Sequence, residues 1–229
     1  MKTLCLLLML AVLVVAAAPV AAFTGSLSSS NSEINGTGFW VNQSLLPPAE
    51  QPNWIPATIN WTVTQNINQS WHFDYVLSVY RAEVSHFVLE TSQSFTNQDI
   101  FNLQGHSGAV NVGWHNVGPG NPSIPSNVYG IKFDSTVGTN LHVSFDSWRA
   151  PVWGDFYSKC GNVGGTQNTA WNAGFSTTDT DPISPAANGS LLNHILVPDT
   201  TVVPEPGSMM ALGAGIIAML ASTRRRERR

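Results

Sequence analysis

Residues 59–64, Ile-Asn-Trp-Thr-Val-Thr, alternate apolar and polar side chains without a break, and the same two-residue period recurs along the middle of the chain. Trp71, Phe73, Tyr75, Leu77 and Val79 fall on one side of such a run, with His72, Asp74 and Ser78 on the other. Phe87 and Leu89 share a side within 84–90; Tyr129, Ile131 and Phe133 alternate with Gly130, Lys132 and Asp134; Leu141, Val143 and Phe145 alternate with His142, Ser144 and Asp146. A period of two fits a strand with one face buried and one face wet. Turn-forming clusters separate the runs: Gly118-Pro119-Gly120-Asn121-Pro122, Pro125-Ser126-Asn127 and Gly161-Asn162-Val163-Gly164-Gly165. Between the two ends, helical spacing is confined to a turn around Asn97–Leu103, and no internal repeat points to a solenoid or propeller. The pattern predicts an all-β fold, an antiparallel β-sandwich of jelly-roll or immunoglobulin-like type. The stretch from Thr24 to about Asn53, rich in Ser, Asn and Gly, is expected to be an edge strand or partly disordered, and the end of 177–204 a tether.

The two ends follow a different grammar. Lys2 precedes an apolar run, Leu4 through Val15, broken only by the Cys5 thiol, and small residues Ala16-Ala17-Ala18-Pro19-Val20-Ala21-Ala22 follow. This is a secretory signal peptide over 1–23 with a signal-peptidase site near Ala22, so the mature chain is expected to begin at Phe23 or Thr24. At the other end Val203-Pro204-Glu205-Pro206 leads into an uncharged stretch, Met209 to Ala221, and then Arg224, Arg225, Arg226, Arg228 and Arg229. The uncharged stretch is a helix candidate at the short end of what crosses a bilayer, and five arginines after it hold that end in the cytoplasm. The two prolines keep the preceding backbone extended and open to a processing enzyme. A glycolipid-anchor signal would finish apolar rather than with arginines, and a plain C-terminal anchor is the remaining alternative.

The order of Val203-Pro204-Glu205-Pro206, apolar helix and arginine cluster resembles the PEP-CTERM sorting signal of Gram-negative bacteria, a tail sometimes classed as "ice-binding protein C-terminal", a label that describes the tail alone. The resemblance implies cleavage near Pro204-Glu205-Pro206 by an exosortase, a membrane-embedded cysteine protease-like enzyme, after a transient stay in the inner membrane. It also implies delivery to the cell surface or extracellular matrix. Leu77-Ser78-Val79 with Leu89-Glu90, the stretch 128–134 and the stretch 151–159 are similar to a recurrent set of such precursors. That similarity implies a secreted β-rich domain of unassigned activity. The domains are thus expected at 1–23 (signal peptide), 24–200 (β-sandwich) and 201–229 (sorting signal).

Charge narrows the partners. Residues 24–204, about 180 in all, carry Arg81, Lys132, Arg149 and Lys159 against twelve carboxylates, a net charge of minus eight. A domain so poor in cations has no footprint for nucleic acid or anionic lipid; the expected surface role adds exopolysaccharide as a candidate partner beside signal peptidase and exosortase. Of two cysteines only Cys160 lies in the mature domain, which excludes an internal disulfide and favours a buried thiol. The Asn-x-Ser/Thr sites at Asn35, Asn42, Asn60, Asn68 and Asn188 fit an Asn- and Ser-rich surface better than glycosylation in a chain with a bacterial-type tail.

No catalytic pattern stands out, and the domain is expected to be non-enzymatic. Gly105-His106-Ser107-Gly108-Ala109 imitates a nucleophile elbow, but the helix such an elbow needs is missing from the flanking sequence. The six histidines make no helical i, i+4 pair; His72 with Asp74 and His142 with Asp146 share strand faces and predict a cross-strand polar patch. No metal or other cofactor is expected, Asp179-Thr180-Asp181 being a weak candidate for Ca2+. Of eight tryptophans, Trp61 and Trp71 belong to apolar faces and predict core. Trp148 and Trp153, bracketing a loop with Asp155 beside them, are the candidate ligand-binding residues, a platform for sugar rings, with Arg149 bracing Asp155. A structural or adhesive surface protein leads; a carbohydrate-binding module and a jelly-roll hydrolase using two of Asp74, Glu83, Glu90, Asp134 and Asp146 are the rivals.

Overall fold

The computed structural model describes residues 22–105, 108–134, 138–161, 167–175, 177 and 189–198. Thirteen strands run β1 (Ala22–Ser28), β2 (Ile34–Thr37), β3 (Thr58–Gln65), β4 (Trp71–Ser78), β5 (Val84–Glu90), β6 (Phe101–Gln104), β7 (Val110–His115), β8 (Val128–Asp134), β9 (Asn140–Ser147), β10 (Pro151–Gly154), β11 (Phe156–Cys160), β12 (Thr169–Asn172) and β13 (Ile195–Pro198). They form a five-stranded sheet, β1-β3-β4-β9-β6, a six-stranded sheet, β2-β12-β11-β5-β8-β7, and a β10-β13 ribbon, with every pairing antiparallel. The expected all-β sandwich is what the chain forms.

The alternating runs land as their period requires. Ile59, Trp61 and Val63 of β3, Phe73, Tyr75 and Leu77 of β4, and Leu141, Val143 and Phe145 of β9 are all buried. They face Phe87 and Leu89 of β5, Ile131 and Phe133 of β8, and Phe156 of β11 in one apolar core. Aromatic rings join the layers: Tyr75 meets Phe87 at 6.1 Å and Phe133 meets Phe145 at 6.0 Å between centroids. Each buried aromatic of this size contributes about 1.5–3 kcal/mol relative to exposure.

The β10-β13 ribbon touches both β3 and β5, one strand from each sheet. The Tyr75 hydroxyl donates to the Leu196 carbonyl at 2.8 Å, fixing β13 against β4. All four residues of β13 are buried. Ile195–Pro198, within the stretch whose end is expected to be a tether, is thus part of the core, and 199–204 lie outside the described residues.

At the other end of the chain β1 is an edge strand, as expected for that stretch, pairing Ala22 through Ser28 with Thr64 through Thr58. Cleavage near Ala22 would leave it almost whole. Gly25 sits where an added Cβ would lie 2.1 Å from the Trp61 ring, so only glycine lets β1 lie across that indole. The expected turn near Asn97 is a 3-10 turn, Asn97–Asp99, closed by a reciprocal cap between Thr96 and Asp99. Among the described residues no helix is long and apolar enough to cross a membrane. Residues 1–21 of the expected signal peptide over 1–23, the expected apolar helix and the arginine cluster lie outside the described residues.

Candidate functional site

A cleft of about 500 Å³ opens where the end of the β7-β8 hairpin meets the segment leaving β5. Trp114, Asn127, Val128 and Tyr129 form one side; Glu90, Thr91, Ser92, Gln93 and Ser94 form the other. Trp114 continues the inward row Val110, Val112 along the edge strand β7, and that row runs out past the core, leaving the indole 54% exposed. Tyr129, opposite it in the ladder, meets the indole edge-on at 5.6 Å and donates its hydroxyl to the Phe95 carbonyl at 3.2 Å. The Trp114 plate is thereby held in place.

The opposite wall is fixed from behind by Arg149. Its guanidinium donates to Asp99 Oδ1 at 3.1 Å and to the Ser94 carbonyl at 2.9 Å, and lies 5.8 Å over the Phe95 ring. The Arg149 side chain is 8% exposed and that of Asp99 19%, so the pair is largely removed from water. Burial alone would raise the Asp99 pKa; hydrogen bonds from Arg149 and from the Thr96 amide and hydroxyl outweigh it and hold the carboxyl below its usual range.

This corrects the expected brace. Arg149 pairs with Asp99 and not with Asp155, which is buried among other partners. Asp155, 4% exposed, instead accepts from the Asn172 amide at 2.6 Å and meets His194 Nδ1 at 3.0 Å. His194 Nε2 lies 2.8 Å from the Thr177 hydroxyl, which also reaches the Gly174 carbonyl at 2.8 Å. The set fastens Asn172, Thr177 and His194 to the junction between β10 and β11.

Trp153 is corrected as well. Its alternation within a four-residue strand turns the ring inward, leaving 1% exposed and the indole N–H without a partner among the described residues. It cannot serve as a sugar platform. Trp148 is exposed, at 54%, and rests on Phe101 with centroids 5.6 Å apart. The structure therefore does not bring Trp148, Trp153 and Asp155 together. Trp61 is core as expected, and Trp71 is half-buried beside Phe23.

The cross-strand polar patch is present, each histidine meeting a carboxylate on the neighbouring strand. His72 Nδ1 meets Asp146 Oδ1 at 2.6 Å, and His142 Nε2 meets Asp74 Oδ2 at 2.9 Å. Asn102 also donates to Asp146, at 2.7 Å. The ladder sets these pairs: His72 stands opposite Asp146, while Asp74 lies diagonal to His142. Of the five candidate hydrolase carboxylates, Asp74 and Asp146 thus lie on the outer face of the five-stranded sheet, and Asp134 pairs with Lys132. Glu90 is the single carboxylate lining the cleft. Among the described residues no group of three His, Cys, Asp or Glu could hold a metal ion. Cys160 is buried, its sulfur accepting from the Asn168 amide. His106 and Ser107 of the elbow-like stretch and Asp179-Thr180-Asp181 lie outside the described residues.

Sequence reasoning missed Trp114 because a tryptophan in step with Val110 and Val112 looks like core. The signal available was Gly118-Pro119-Gly120 four residues later, which places Trp114 at a strand's end.

No curated protein and no solved structure matches the chain. A family model for the PEP-CTERM protein-sorting motif matches residues 202–226. The match begins four residues after the last buried strand and takes in the Val203–Pro206 motif and the first arginines. Such a tail marks an exported precursor, held in the membrane and processed by exosortase. On that motif the chain is a PEP-CTERM sorting-domain protein.

Proposed function

We propose that the exported domain is a non-enzymatic structural or adhesive component of the cell surface or extracellular matrix, freed from its tail by exosortase near Pro204-Glu205-Pro206. The sorting motif at 202–226 carries this reading, because it sends the whole β-sandwich outward. Three features of the domain support it. The core joins both sheets and the closing ribbon, which suits a part that must persist outside the cell. Twelve carboxylates against four cations keep the domain soluble and turn it away from nucleic acid and anionic lipid. The cleft brings one carboxylate, Glu90, to its walls, where hydrolysis of a glycosidic bond commonly uses two.

The test is fractionation of the producing cells, followed by incubation of the exported protein with the isolated matrix. The protein should co-sediment with the matrix and release no reducing ends or peptides from it over time. A steady, enzyme-like release of either product would overturn the proposal, as would recovery of the protein only from the periplasm.

A further inference from the structure

We propose that the cleft between Trp114 and the 90–94 segment is a binding site for a neutral polysaccharide chain. The inference rests on the export reading, since such a chain must be met outside the cell. An exposed indole offers a flat apolar face to the C–H side of a sugar ring. Trp114 is already immobilised by Tyr129, which is itself tied to the Phe95 carbonyl, so little side-chain entropy remains to be lost on binding. The volume, about 500 Å³, lies within the range of small-ligand sites, roughly 300–1,000 Å³.

The polar lining supplies the matching hydrogen-bond groups. Asn127 Oδ1 accepts from the Val117 amide at 2.9 Å, which fixes the orientation of its side chain, while its NH₂ group has no protein partner among the described residues. Gln93 is exposed and likewise makes no side-chain bond there. Ser92 and Ser94 place hydroxyls on the same wall, 2.8 Å apart and already engaged with each other and, through Ser94 Oγ, with Arg149, so Asn127 and Gln93 carry the direct contacts. Amides and hydroxyls both donate and accept, as polyol recognition requires.

Charge selects among sugars. Of the lining residues none is cationic and Glu90 is acidic, so uronate, sulfated or phosphorylated chains would meet repulsion without a counter-charge. The Arg149 guanidinium behind the wall is committed to Asp99 and Ser94. Trp148, equally exposed on the opposite sheet's flank, is not among the residues lining this cleft and serves as the internal control.

The experiment is a titration of the exported protein with cellohexaose, laminarihexaose, mannohexaose and chitohexaose, with an oligogalacturonate as the anionic arm, followed by tryptophan fluorescence and calorimetry. At least one neutral hexasaccharide should bind saturably at millimolar concentration or below. Trp114→Ala and Trp114→Leu should each weaken it by roughly tenfold or more. Trp148→Ala should leave it unchanged, and all three variants should keep a cooperative thermal transition, because about half of each indole is exposed. No saturable binding by any neutral chain, binding that survives both Trp114 variants, or a preference for oligogalacturonate would overturn the proposal. Any of these results would leave co-sedimentation with matrix intact, which separates failure of the cleft from failure of the matrix role.

Discussion

His86 shows how a single buried polar side chain sets the molecule's response to acid. It sits on the outer face of β5 against the Tyr157 ring, 5.9 Å away, and its Nε2 finds no partner among the described residues. Burial, with Lys132 and Lys159 nearby and only partial relief from Asp134, lowers its pKa to about 3. The folded protein keeps this imidazole neutral where the unfolded chain takes up a proton below about pH 6.5. Stability should therefore fall as pH drops from about 6.5 toward 3, and His86→Leu should remove up to about 1.4 kcal/mol per pH unit of that slope. Denaturant unfolding of the two proteins across this range checks the prediction; equal slopes would refute it. Trp153→Ala should behave as a core truncation, costing about 3–5 kcal/mol. Asp155→Ala, which removes the buried acceptor from the Asn172 amide and from His194 Nδ1, should cost about 1–3 kcal/mol. Both are read from unfolding midpoints, and a shift within 0.5 kcal/mol, about the effect of a surface change, would contradict the burial of either.

At the level of elements, legibility followed solvent exposure. β3, β4, β8 and β9 were readable because one face of each meets water or lighter cover, which writes the two-residue period into the sequence. β13 was not, because all four of its residues are buried and no alternation is left to see. β10 is nearly as enclosed, which is why Trp153 passed for a loop residue. The cleft was hidden for a related reason: its parts come from 90–94, 114 and 127–129, which only the β5-β8-β7 order joins. Two tests belong here. Ending the chain at Pro198 should leave the thermal midpoint of the exported domain unchanged, whereas ending it at His194 should abolish cooperative unfolding, since the ribbon that closes the sandwich is lost. Asp99→Asn should cost about 2–3 kcal/mol near neutrality by leaving Arg149 buried without its counter-charge. The Asp99 pKa is depressed, so its contribution is present above the unfolded value of 3.8 and declines as pH falls through the folded one. The parent and Asp99→Asn should thus converge in strongly acidic solution.

For the whole molecule, the chain combines a rigid exported fold with a removable address. Only 199–201 separate the last buried strand from the matched sorting motif, a reach of roughly 10 Å when extended. Cleavage near Pro204-Glu205-Pro206 would therefore fall close to the folded domain. The acidic balance of the domain and the basic balance of the tail are separated by the same cut, which turns a precursor of net charge minus four into a product near minus eight. The most direct test of this account is mass spectrometry of the protein recovered from the cell exterior. The account predicts a chain beginning near Phe23 and ending near the Pro204-Glu205-Pro206 motif, without Arg224–Arg229. An exported form that retains those arginines would contradict it.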